Sequence, residues 1–177
     1  MKNRCVFGQA HRQKQGVIMG MFKKILFSLT IVGLLVSGNG FAESQYVKTT
    51  IVEGEYNDVL SAVKEVIQGK GINIAHTLPA GDMLGRTGPA FNIKEKIFLN
   101  AESIEFCSAK VSHELVQANI ENIILCPFTI SVYVLASDPE HVRISNRIPH
   151  VIDKKSEQAV AHMNALVSSI IEEAAEW

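Results

Sequence analysis

Cys107, Cys126, His76, His113 and Arg86 are the side chains whose types and spacing bear on chemistry. Cys107 stands just before a helical segment, and Cys126 lies in the strand-like segment that follows it. The intervening helix descends about 18 Å at ~1.5 Å per residue. The return to Cys126 climbs roughly 13–17 Å at ~3.3 Å per residue. Were the flanking strands parallel neighbours, a crossover of about a dozen residues would join them and bring both thiols to one height. Three readings follow. One is a structural disulfide closing a loop of about 20 residues, which contributes roughly 3 kcal/mol. The second is a functional pair, redox or ligand-binding, because a helix N-terminus lowers a thiol pKa. The third is two small buried side chains with no special role.

A third group would turn the pair into a metal or haem site. His113 hints at one, but a helical wheel sets it roughly 200° round from Val111, away from the apolar side. His76 suits better, at the end of a strand whose one side reads Ile72, Ile74, His76 and Leu78, although a satisfied core histidine is the plainer reading. Two soft thiolates with His76 would favour copper(I) or zinc. No close Cys or His spacing supports a metal, and no cofactor is strongly indicated. Arg86, in Gly85-Arg86-Thr87-Gly88, could hold an anion through its guanidinium and neighbouring backbone N–H groups; a solvated turn arginine is the plainer reading. Neither a nucleophile-elbow serine nor a clustered carboxylate pair is present.

The elements that must position these groups alternate between two periods. Tyr46–Val52 reads as a strand, and Glu55–Gly69 as a helix with one apolar face ending at Gly69 and Gly71. Ile72–Leu78 returns as a strand. Pro79–Phe91, with three glycines and two prolines, predicts a long loop. Lys96–Phe106 is strand-like with an interruption at Asn100–Glu102, and Ser108–Asn119 is helical. Ile123–Leu135 is the strongest strand, its Ile124, Cys126, Phe128, Ile130, Val132 and Val134 on one face, with Pro127 marking an edge or bulge. Asp138-Pro139 predicts a turn into the strand His141–Ile148, and Ser156–Trp177 a long amphipathic helix. The sum is an α+β fold of two layers, a mostly antiparallel sheet with helices packed on one face. The other face, bearing Thr129, Ser131, Tyr133, Arg143 and Arg147, is polar enough for solvent or a partner.

The first 42 residues stand apart. Met21–Ala42 has Lys23 and Lys24, an apolar run from Ile25 to Val36, and Gly40-Phe41-Ala42 at its end, the pattern of a secretory signal cleaved after Ala42. The apolar run is short of the ~20 residues a bilayer span needs. Residues 1–20 ahead of it, with the lone Cys5, read as a mis-assigned start or a long leader. Residues 43–177 then form one domain with eleven basic and eighteen acidic residues, net charge −7. Such a balance disfavours nucleic acid and anionic membrane surfaces, and an even cysteine pair suits the oxidising periplasm or exterior.

Residues 102–135 carry Phe106-Cys107-Ser108-Ala109, then Cys126-Pro127-Phe128, then an apolar strand through Val132-Tyr133. With Met83-Leu84-Gly85-Arg86-Thr87-Gly88, these blocks resemble the exported branch of the family called domain of unknown function 302, over roughly Tyr46 to the C-terminus. The resemblance implies a small α/β domain, often dimeric, with no assigned biochemical role, so no catalytic residue is carried over from it. The expectation is an exported, acidic binding or accessory module forming a homodimer. The alternatives are a thiol-dependent redox enzyme and a soft-metal or haem binder.

Overall fold

The computed structural model of the chain describes residues Ser44–Trp177. The expected signal segment and the residues ahead of it lie outside that range. Strands β1 (Val47–Val52), β2 (Ile74–Leu78), β3 (Phe98–Phe106), β4 (Phe128–Leu135) and β5 (Asp138–Arg147) form one sheet in the order β1-β5-β4-β3-β2. Every neighbouring pair is antiparallel. Helices α1 (Tyr56–Gly69), α2 (Ala80–Thr87), α3 (Ala109–Ala118) and α4 (Glu157–Ala175) complete the domain, with 3-10 turns at Gly88–Phe91 and Ile120–Leu125.

Strict alternation decides which face of the sheet is buried. Phe128, Ile130, Val132 and Val134 of β4 are buried while Thr129, Ser131 and Tyr133 between them are half-exposed. On the covered side α1 supplies Val59, Leu60, Val63, Val66 and Ile67, and α4 supplies Val160, Met163, Val167, Ile170 and Ile171. α1 stops in a glycine-dependent way. Gly71, at φ 72°, lets its own N–H reach the Gln68 carbonyl at 2.8 Å and the Ile72 N–H reach Ile67 at 3.2 Å. Only glycine adopts that left-handed turn without strain.

Five sequence expectations need correction. Pro79–Phe91 is not a loop: α2 and a 3-10 turn fill it, because tertiary packing outweighs the helix cost of its glycines, about 1 kcal/mol each. α2 continues the path of β2 beside β3, and a Cβ on Gly81 would come within 2.8 Å of the Ala101 backbone nitrogen. Asn100–Glu102 does not interrupt β3, whose ladder with β4 runs on through those residues. Ile120–Leu125 is a 3-10 turn, so β4 begins only at Phe128, beside β3 and β5 rather than at an edge. The turn before β5 is Ala136-Ser137, and Asp138-Pro139 already belongs to the strand. Finally, β3 and β4 are antiparallel, Phe106 opposite Phe128. The segment between them therefore leaves and re-enters the same end of the sheet.

That segment is tied down by amides. Asn122, fully buried, donates to the Leu115 carbonyl and to the Ser156 hydroxyl, both at 2.9 Å. The Asn119 side chain donates to Asp153 at 2.8 Å, and Asp153 also accepts from the Ser156 N–H and hydroxyl at 2.9 Å. These bonds, Asn119 first, hold the Asp153 carboxyl below its ordinary pKa. The start of α4 is thus anchored to the end of α3.

Candidate functional site

Cys107 and Cys126 sit at the two mouths of this excursion, one after the end of β3 and the other just before β4. Their sulfurs lie within bonding distance and their Cα atoms are 6.0 Å apart, inside the window a disulfide requires. Both are half-buried beside the edge-to-face pair of Phe106 and Phe128, whose ring centroids are 5.8 Å apart. Ser108 caps α3, its hydroxyl accepting from the Val111 N–H at 3.5 Å. The expectation that the cysteines share one height is met, by antiparallel strands rather than parallel ones.

The other sequence candidates do not converge on the pair. A register shift between Ile74 and His76 turns β2 over. Ile74 therefore keeps to the core side, while His76 lies exposed opposite Glu105 on the uncovered face. His113 is exposed on α3 and Arg86 is exposed in the last turn of α2. Among the described residues, no group of three His, Cys, Asp or Glu side chains is arranged to hold a metal ion. The phenol of Tyr56, at the start of α1, has its pKa pushed up to about 12 by burial, then by the carboxylates of Glu102 and Asp82. It stays a neutral hydrogen-bonding group at any physiological pH.

A cleft that the sequence reading did not anticipate lies along α2. It has a volume of about 500 Å³ and is walled by Leu84 and Pro89 on one side and Ile93, Ile97 and Phe98 on the other. Lys94, Glu95 and Lys96 stand at its rim. Leu84, Ile93 and Ile97 are 47 %, 53 % and 59 % exposed, so about half of each large apolar surface remains in solvent. Ligand pockets commonly fall between about 300 and 1,000 Å³ with mainly apolar walls. The sequence signal is the run FNIKEKIFL, Phe91–Leu99, in which apolar residues flank three charges and all but Phe98 stay exposed.

The cleft's glycines divide into two kinds. Gly81 is forced by the Ala101 backbone. Gly88 is crowded too, since a Cβ there would meet the Ile93 carbonyl at 3.0 Å. Gly85 has no such reason: it sits inside α2, and nothing lies within 4 Å of where its Cβ would be. Packing explains the first two glycines, and an open cleft floor explains the third. Gly81→Ala should therefore destabilise the domain by about 1–3 kcal/mol. Gly85→Ala should stabilise it by about 0.4–1 kcal/mol through the unfolded chain. Urea midpoints of the two variants moving in the same direction would contradict this division.

The family domain described as domain of unknown function DUF302 matches residues 47–174. The chain belongs to the DUF302 family. Among solved structures it is similar to the uncharacterized conserved protein DUF302 from Bacillus stearothermophilus, at 12 % identity and a TM-score of 0.62. That similarity covers 74 % of this chain and 99 % of that one, and at such low identity it speaks for the fold. No curated protein matches the chain. In this DUF302 chain the family match encloses both cysteines, α2 and the cleft.

Proposed function

We propose that the chain is an exported binding or accessory module. Its ligand site is the cleft along α2, and Cys107–Cys126 is a permanent staple. The observation that carries the reading is Gly85, a helix-interior glycine whose missing side chain is explained by an open cleft floor and by no contact of the fold. Apolar walls with a lysine-bearing rim favour a small apolar ligand with an anionic end. Export rests on the signal pattern of Met21–Ala42, and it supplies the oxidising surroundings a lasting disulfide needs. Among the described residues no His, Asp or Glu joins the two cysteines in a metal-holding group, which favours a staple over a metal-dependent thiol site.

The anionic apolar dye 1-anilinonaphthalene-8-sulfonate tests the site. Titration of the folded protein should show one saturable site, and Gly85→Phe, which fills the floor of the cleft, should abolish it. Unchanged dye binding in that variant would place the apolar site elsewhere.

A further inference from the structure

The walls of the cleft along α2 restrict what shape of molecule it can hold. Leu84, Ile93 and Ile97 are branched aliphatic side chains, and Phe98 is the one aromatic side chain among the described walls. Phe98 is half-buried and stands edge-to-face with Tyr133 of β4, their ring centroids 5.6 Å apart. A single ring engaged in this way cannot sandwich a planar ligand between stacking faces. Aliphatic walls suit a chain of methylenes, which gains by the area it buries and needs no ring geometry. The floor runs from Gly81 to Gly88, roughly 10 Å at ~1.5 Å per residue, the length of an extended chain of about eight to ten carbons.

The rim sets the charge of the ligand's end. Lys94 and Lys96 both line the cleft with Glu95 between them, and none of the three has an ion-pair partner among the described residues. The rim therefore carries one net positive charge, on ammonium groups that act as point charges on flexible stems. It matches a monoanion, and it leaves a dianionic phosphate ester half neutralised. Granted that the cleft is the ligand site, we infer that its ligand class is a straight-chain carboxylate of about eight to ten carbons. The chain lies along α2 between Leu84 and Ile97, and the carboxylate meets Lys94 and Lys96. Because the cleft stays open on one side, each methylene is covered on part of its surface. Its gain in affinity is then about two- to threefold, below the roughly fourfold of complete burial.

Calorimetric titration of the protein with straight-chain carboxylates tests the assignment. Affinity should rise about two- to threefold per methylene from hexanoate to about decanoate and then level off. Decanoate should bind about fivefold or more tightly than decylamine. Replacing Lys94 and Lys96 by glutamine should remove most of that difference, while decanol binding stays within about twofold of the parent. Gly85→Phe should abolish binding of decanoate and of the dye alike. If the dye finds no saturable site that Gly85→Phe removes, the cleft is not the ligand site and the ligand class falls with it. With the dye site in place, three results would each overturn the ligand class alone: equal affinity for decanoate and decylamine, no dependence on chain length, or tighter binding of planar 2-naphthoate than of decanoate.

Discussion

Replacing Cys107 and Cys126 together by serine should lower the stability of the domain by about 3 kcal/mol. The link joins residues 19 apart in sequence and closes the excursion of α3 and the 3-10 turn onto the end of the β3–β4 ladder. Without it, the unfolded chain regains the freedom of that loop, while the folded chain keeps Asn122, Asn119 and Asp153 as ties. The domain should therefore still fold, with a Tm lower by about 10 °C. Parent protein treated with a reductant should approach the variant's denaturation midpoint, and the variant itself should be insensitive to reductant. Equal midpoints for oxidised parent and variant would show that the sulfurs contribute no staple. Dye binding at the cleft should survive in the variant, because the cleft is lined by residues 81–98 and by none of the excursion's own residues.

Phe106→Ala should cost more, about 3–5 kcal/mol. Phe106 is the largest of the fully buried side chains, at 0 % exposure, and stands edge-to-face with Phe128 across the β3–β4 pair. Its removal leaves a cavity between the sheet and the helices at the point where the disulfide fastens the chain. Combined with the cysteine replacements the losses should fall short of additive, since Phe106 and Cys107 are adjacent and share surroundings. Urea unfolding that shows a loss below about 1 kcal/mol would mean the core there closes up far more readily than close packing allows.

The architecture was legible where one period ran uninterrupted. α1, α4 and the alternating part of β4 follow from spacing alone, as does the covered face of the sheet. Legibility failed where long-range contacts decide local structure. No helix propensity predicts α2 across Gly81 and Gly85; its packing on β3 does. Ile124 read onto the apolar face of a strand, yet the structure buries Asn122 and exposes Ile124, because two hydrogen bonds fix the amide inward. His76 was read onto the wrong side of β2 because one irregular residue reverses every side chain beyond it. At the site, the cysteine pair was legible from spacing. The cleft was not, because its walls come from two segments that only the fold brings together.

The central claim, a stapled domain whose cleft holds a small apolar ligand, is tested most directly by native mass spectrometry of the protein purified from the exported fraction of its own host. The account predicts a polypeptide beginning at Glu43, lighter by two hydrogens than the fully reduced chain, carrying a small non-covalent adduct that Gly85→Phe removes. A polypeptide with free thiols, or an adduct that persists in Gly85→Phe, would contradict it.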